Sequence, residues 1–178
     1  MKLQHDDDCQ IPGIPFLVVL FNTIKNYRMM KFFSIVAACM LLFASCSKKS
    51  SQADTDDQII QSYLTSRSLT ATKDASGLYY MTTLAGTGVS PTAASTVEVK
   101  YKGYLVNGTV FDQTATGKTA SFPLSGLIKG WEIGIPLMKV GGKATFLIPS
   151  ALGYGSSAVG TIPANSVLIF EIELVSVK

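Results

Sequence analysis

The sequence predicts an α+β domain in which a twisted antiparallel β-sheet wraps over one short α-helix, preceded by a short N-terminal helix. In the second half of the chain, apolar side chains alternate with charged ones in several short segments, which is the pattern of half-buried strands. With 178 residues, 47% of them hydrophobic, the chain is long enough for one such domain plus extensions. A helical spacing of apolar residues interrupts the strand patterns once there, at Ile128, Trp131, Ile135 and Met138.

The N-terminal helix is predicted from a capping pattern and an apolar stripe. Residues 47–54 are polar and lack periodicity, which predicts a tether. Thr55 followed by Gln58 resembles a capping box, so we expect a helix over residues 56–66. Its apolar stripe would pack either on the domain or against a second copy, and consists of Ile59, Ile60, Tyr63 and Leu64.

The first long strand is predicted from strict alternation, with Val97, Val99 and Tyr101 on one face. Asn107–Gly108 then predicts a two-residue type I′ hairpin turn, because both central positions of that turn need positive φ. Phe111 would therefore return beside Tyr101.

Two further strands and the short helix complete the predicted domain. Phe146 and Ile148 occupy alternate positions of one predicted strand. The last strand places Glu171 and Glu173 outside, opposite the inner residues Leu168, Phe170, Ile172 and Leu174. Pro136 should end the regular helix just before it, because proline removes a backbone donor.

The segment before Cys46 has the layout of an export signal. Residues 30–45 contain one early positive charge, an apolar run and small residues before Cys46. This run is too short for a membrane span, which needs about 20 apolar residues. Because it ends on Cys46, the segment resembles a bacterial lipoprotein signal, and this resemblance implies a lipid anchor on the Cys46 thiol. A simple cleaved signal and a retained apolar anchor are the alternatives. Residues 1–29 have no comparable pattern, so we expect translation to begin at Met29 or Met30.

Charge and residue inventory exclude many functions. The net charge is +3 and no basic run exceeds Lys48–Lys49, so nucleic acid is not an expected partner. A chain beginning at Cys46 has no His and no second Cys, which excludes disulfides, His-ligated metal sites and His-dependent triads. We expect no metal and no cofactor.

A set of aromatic residues marks the candidate site. A single small fold could bring six of them into one cup with Asp112 at its edge: Tyr101, Phe111, Phe122, Trp131, Tyr154 and Phe170. A cup without a nucleophile indicates chemistry that breaks no covalent bond. Some members could equally be ordinary core, whereas a buried indole, phenol or carboxylate needs partners that an apolar core does not provide.

Over residues 82–178 the sequence resembles the FK506-binding-protein (FKBP) family of peptidyl-prolyl cis-trans isomerases. The resemblance rests on four segments in the family's order, VEVKYKGYLVNGTVFD, LIKGWEIGIPLM, FLIPSALGYG and TIPANSVLIFEIEL. It implies an isomerase domain over residues 77–178, proline-containing polypeptides as substrates and macrolides of the FK506 type as inhibitors.

The resemblance also implies roles for individual residues. Trp131 would be the floor under a proline ring, Tyr154 would offer its hydroxyl to a substrate carbonyl, and the Ile128 N–H would hold the chain beyond the proline. Asp112 would accept a hydrogen bond from Tyr101. The implied walls and flanking positions are Tyr101, Phe111, Phe122, Leu127, Ile128, Ile162 and Phe170.

The sequence departs from the family at Ala120, where an aromatic wall is common, and in the short loop 156–161, so a more open pocket is expected. The N-terminal helix is short for a family dimerisation helix, which favours a lid or spacer. Together these features predict a lipid-anchored isomerase facing the periplasm, with the outer membrane favoured, that assists folding of exported proteins. The alternatives are a non-catalytic peptide-binding module or holdase chaperone, and a structural subunit.

Overall fold

The computed structural model describes residues 51–178, and its secondary structure confirms the predicted α+β class. All strand pairs are antiparallel. The helices are α1 (Gln52–Ser66) and α2 (Lys129–Gly134), with 3₁₀ turns at Leu124–Gly126, Ile135–Leu137 and Ser150–Leu152. The strands are β1 (Thr72–Lys73), β2 (Tyr79–Leu84), β3 (Thr96–Leu105), β4 (Val110–Gln113), β5 (Ala120–Pro123), β6 (Lys143–Ile148) and β7 (Leu168–Val177).

The strands lie in the order β1-β2-β6-β7-β3-β4, and β5 also pairs with β3. Strand β7 is therefore internal: it pairs with β3 along its length and with β6 over residues 168–173. The free side of β3 has two partners, β5 near its start and β4 near its end. This change of partner occurs around Tyr101 and opens the sheet edge where the candidate site lies.

The inner face of the sheet carries the main core and packs against α2. Phe146, Ile148, Leu168, Phe170 and their neighbours are buried there. Gly130 allows α2 to lie close to β6, because a Cβ at this position would be 2.6 Å from the Ile148 side chain. The helix ends at Gly134, before Pro136, as predicted.

The outer face of the sheet is covered at one end by α1. Ile60 and Leu64 of the helix are buried against Tyr79, Leu147 and Ile169. The helix thus packs on the domain, which was one of the two predicted alternatives, and it covers the sheet face opposite the main core. The signal for this second core was the continuous apolar run at residues 146–148, which is typical of a strand buried on both faces.

The predicted start of α1 was wrong. The N-cap is Ser51, whose Oγ accepts the Asp54 N–H at 3.2 Å, while Asp54 Oδ2 accepts the Ser51 N–H at 3.0 Å. This capping box begins the helix at Gln52, so residues 52–54 of the predicted tether are helical. Thr55 lies inside the first turn and donates its hydroxyl to the Ser51 carbonyl.

The predicted two-residue hairpin turn was also wrong. Gly108 has a φ of +88°, whereas Asn107 does not have positive φ. The Gly108 N–H donates to the Leu105 carbonyl, and the Leu105 N–H donates to the Thr109 carbonyl. These bonds define a three-residue loop in which a turn is followed by a glycine with left-handed backbone conformation. Among β-hairpins, such loops are the next most common after two-residue loops.

Several predictions fall outside residues 51–178. They concern the extension 1–29, the signal 30–45 and the anchor at Cys46. Within the described residues, no helix combines the length and apolarity that crossing a bilayer requires.

Candidate active site

An aromatic cavity of about 260 Å³ lies between the inner face of the sheet, α2 and the loops that follow β5 and β6. Most of the predicted cup residues line it. The lining consists of Tyr101, Asp112, Phe122, Gly126, Leu127, Ile128, Trp131, Tyr154 and Phe170.

Trp131 is one of the two most buried rings in this lining, at 4% exposure, the same as Phe170. It lies in the first turn of α2, and its ring packs edge-on against Tyr101 and Phe170, each with a centroid distance of 5.2 Å. Phe122 completes the contact at 6.1 Å. Edge-to-face packing of this kind fixes ring orientations. The aromatic rings at the base of the cavity therefore hold one another in position.

The wall formed by Phe170 depends on a glycine that sequence reasoning missed. Gly103 on β3 lies opposite Phe170 of β7 and Asp112 of β4. A Cβ at Gly103 would be 2.6 Å from the Phe111 ring and 2.7 Å from the Phe170 ring. The missing side chain therefore lets these two rings meet edge-on, with centroids 5.4 Å apart. A glycine within an otherwise alternating strand was the available signal.

The change of strand partner beside Tyr101 presents its side chain to the cavity. Thr114 replaces a strand partner there, because its Oγ1 accepts the Tyr101 N–H at 3.2 Å and its N–H donates to the Tyr101 carbonyl at 3.0 Å. The Tyr101 hydroxyl donates to Asp112 Oδ2 at 2.6 Å. Burial, and then this hydrogen bond, raise the pKa of the Tyr101 hydroxyl well above its ordinary value. It therefore remains a donor and orients the carboxylate.

The rim of the cavity is formed by loop residues. Tyr154 is 37% exposed and follows the 3₁₀ turn Ser150–Leu152. Leu127 and Ile128 precede α2 and are partly buried. Gly126, which the sequence reasoning did not select, also contributes to the lining and has open space where a Cβ would lie.

Two predicted site residues lie outside this lining. Phe111 is partly buried and packs behind Phe170. Ile162 is buried in the main core and pairs through its backbone with Val159. Ala120, where a thin wall was predicted, pairs with Val99 and does not line the cavity either.

The described residues contain no group of three or more His, Cys, Asp or Glu side chains placed to hold a metal ion. A group of charged side chains lies on the outer face of the sheet. There, the Lys100 ammonium, followed by that of Lys143, lowers the pKa of the Glu173 carboxyl through hydrogen bonds. The cavity itself contains one carboxylate, Asp112.

Comparison with known proteins agrees with this fold. The family model for FKBP-type peptidyl-prolyl cis-trans isomerases matches residues 88–175. The crystal structure of FkpA from Escherichia coli superposes with a TM-score of 0.64 and 30% sequence identity, covering 92% of this chain and 91% of that chain. The chain therefore belongs to the FKBP-type peptidyl-prolyl cis-trans isomerase family, and the predicted fold is confirmed.

Curated relatives match a little over half of this chain. The isomerase FkpA of Aeromonas hydrophila is 46% identical over 104 residues, which are 58% of this chain and 39% of that protein. The isomerase Mip of Coxiella burnetii is 45% identical over 106 residues, which are 58% of this chain and 46% of that protein. The chain thus spans less than half the length of either relative.

Proposed function

We propose that this protein is a peptidyl-prolyl cis-trans isomerase that assists the folding of exported proteins in the bacterial cell envelope. The observation that carries the proposal is a small aromatic cavity with a buried indole base and a single oriented carboxylate at its edge. Its volume of about 260 Å³ is below the roughly 300–1,000 Å³ typical of sites for drug-sized ligands. A site of this size suits one residue of a peptide, such as a proline ring.

The reaction requires rotation about an X–Pro bond, which faces a barrier of about 18–20 kcal/mol because amide resonance is lost. No proton transfer or nucleophile is needed. A catalyst must bind the twisted amide better than either planar form. The twisted carbonyl is less polar than a resonant amide, so an apolar cavity such as that formed by Trp131, Phe170 and Phe122 favours it relative to water.

Polar groups at the rim would hold the substrate in register. Tyr154 lines the cavity and is partly exposed, so its hydroxyl would donate to a substrate carbonyl. The Ile128 N–H makes no backbone hydrogen bond within residues 51–178 and is available to the chain beyond the proline. Asp112, oriented by Tyr101, would act on the amide dipole at the cavity edge. Trp131 would support the proline ring, with Phe111 holding Phe170 in place behind it.

A protease-coupled assay on a short proline peptide tests this proposal. Asp112→Leu removes the charge at the cavity edge and adds apolar bulk, so it should lower kcat/KM by about tenfold, equivalent to about 1.4 kcal/mol of transition-state stabilisation. Phe111→Ala should also lower it by loosening Phe170. Gln113→Leu is the matched control, because it adds the same side chain at the next, exposed position of β4.

The competing function is a holdase chaperone that grips apolar or proline-bearing segments without catalysis. Suppression of aggregation of an unfolded client separates the two. If Asp112→Leu and Phe111→Ala fold but leave the isomerisation rate unchanged, the enzymatic proposal fails. The holdase hypothesis then replaces it.

The placement in the envelope rests on the sequence pattern before Cys46. Metabolic labelling with a fatty acid should mark the protein, and Cys46→Ser should abolish both the label and membrane retention. Cys39→Ser is the matched control, since that thiol lies within the predicted signal. Labelling that survives in Cys46→Ser would exclude this anchor.

A further inference from the structure

We propose that Asp56, on helix α1, is a positioning residue for Tyr154 on the opposite side of the sheet from the helix. Nothing in the family resemblance or the cavity lining selects Asp56. The structural basis of the proposal is a continuous chain of hydrogen bonds from Asp56 to the backbone around Tyr154. Its expected effect on catalysis rests on the proposed function.

The first link joins α1 to the loop after β6. Asp56 is 1% exposed, and its Oδ2 accepts both the Ser150 N–H at 2.8 Å and the Ser150 hydroxyl at 2.6 Å. Its other oxygen, Oδ1, accepts from Gln52 Nε2 at 2.7 Å. Ser150 is equally buried, at 1% exposure. Both partners are thus held in one geometry and shielded from water.

The second link joins Ser150 to the backbone on either side of Tyr154. The Ser150 carbonyl accepts the Gly153 N–H at 2.9 Å and the Gly155 N–H at 2.8 Å. Gly155 has a φ of +59°, a conformation that suits glycine. Its carbonyl in turn accepts the Asn165 N–H at 2.8 Å. One carbonyl therefore fixes both neighbours of Tyr154.

The type of residue at position 56 supports a dedicated role. Its buried neighbours on α1, Ile60 and Leu64, are apolar, as expected for a helix that only needs to cover a sheet. A carboxylate buried among them is unfavourable unless its oxygens are hydrogen-bonded. Asp56 meets this condition by capping the first N–H of the turn Ser150–Leu152, which leads directly to Tyr154. The helix thereby sets the position of a rim residue that it does not contact.

Kinetic measurements on the full 178-residue chain test the coupling. Asp56→Ala should misplace the Tyr154 hydroxyl, and Tyr154→Phe removes it. Each variant should therefore lose the hydrogen bond from this hydroxyl to the substrate, which lowers kcat/KM about fivefold. The double variant should also lose about fivefold rather than about 25-fold, because both changes act through the same hydroxyl. Asp56→Asn should remain within about twofold of wild type, since its carbonyl oxygen still accepts from Ser150 and Gln52 can turn its amide to match.

Asp57→Asn is the matched control. Asp57 is the next residue on α1 and anchors the same helix through Tyr79 and Lys73, with no contact to Ser150. It should leave kcat/KM unchanged. Equal losses in Asp56→Ala and Asp57→Asn, or multiplicative losses with Tyr154→Phe, would overturn the proposal, because either result points to general loosening of the helix.

Amide hydrogen exchange gives a readout that does not depend on activity. In Asp56→Ala, the Gly153 and Gly155 amides should exchange about fivefold faster than in wild type, and in Asp57→Asn they should not change. Ser150→Ala, which removes one of the two bonds, should show the same effect more weakly and serves if Asp56→Ala does not fold. If wild type fails to isomerise but the exchange pattern holds, the proposed function fails and the positioning link stands; unchanged exchange overturns the link itself.

Discussion

Among residues 51–178, the indole nitrogen of Trp131 is the buried side-chain atom that has no hydrogen-bond partner. An unsatisfied buried donor costs about 1–3 kcal/mol, so an ordinary core position would favour a purely apolar ring. The presence of an indole at the base of the cavity is better explained by a requirement of the site than by packing.

Two substitutions at this residue separate its ring from its N–H. Trp131→Ala should lower the free energy of unfolding by about 3–5 kcal/mol and abolish most isomerase activity, because it removes the cavity base. Trp131→Phe keeps an aromatic base and removes the unsatisfied donor, so it should cost less than half as much and retain more activity. Urea unfolding and kcat/KM measure both, and equal stability losses in the two variants would contradict this account.

Gly103 exerts its effect through the absence of a side chain. Gly103→Ala should destabilise the protein by about 1–3 kcal/mol, since the new methyl group would overlap the Phe111 and Phe170 rings. It should also lower isomerase activity by shifting the Phe170 wall. Gly126→Ala is the control for stability, because nothing lies within 4 Å of its Cβ position. Thermal unfolding measures the difference in stability between the two variants. Equal stabilities would contradict the prediction, because they would mean that the two rings move aside freely.

At the scale of elements, α1 is held to the sheet by polar contacts as well as by its apolar stripe. The Asp57 carboxylate accepts hydrogen bonds from the Lys73 ammonium of β1 and the Tyr79 hydroxyl of β2. These bonds, that from Lys73 first, hold the pKa of Asp57 below its ordinary 3.8. Because the folded-state pKa is the lower one, this stabilisation is present above about pH 4 and is lost as the pH falls below 3.8.

The pH dependence of unfolding tests this contact. The Asp57 side chain is 38% exposed, so solvent screening limits its contribution to about 1 kcal/mol or less. The difference in unfolding free energy between wild type and Asp57→Asn should therefore be small at pH 6 and smaller still at pH 3. Urea titrations at the two pH values measure it, and a difference that grows on acidification would contradict the assigned direction.

The elements also show which features could be predicted from sequence. Strands β3, β6 and β7 and helix α2 were predictable because their apolar periodicity is local, whereas the short strands β1, β2 and β5 were not predicted individually. The Tyr101–Asp112 hydrogen bond followed from the family resemblance. The contact between Asp56 and Ser150 could not be predicted, because the two residues are far apart in sequence and neither carries a local pattern that points to the other.

At the scale of the whole molecule, the sheet is buried on both faces at one end and on one face at the other. The main core and α2 occupy the inner face, while α1 covers Tyr79, Leu147 and Ile169 outside. The helix is therefore expected to be part of the folded unit rather than a spacer.

Two adjacent isoleucines test this expectation. Ile60→Ala should lower the free energy of unfolding by about 2–5 kcal/mol, because Ile60 is fully buried between α1 and the sheet. Ile59→Ala should cost clearly less, since Ile59 is only partly buried. Urea unfolding measures both, and equal small losses would support a spacer.

The internal position of β7 determines when this protein can fold. Its residues 168–177 pair with β3 and its residues 168–173 pair with β6, so that the sheet joins positions as distant as Val97 and Val177. During synthesis, every chain that has not yet reached residue 168 has unpaired strand edges at the places β7 will occupy. Such long-range pairing slows folding, because the entropy of closing long loops is lost before the contacts form. The centre of the sheet can therefore close only after residues 168–177 have been made.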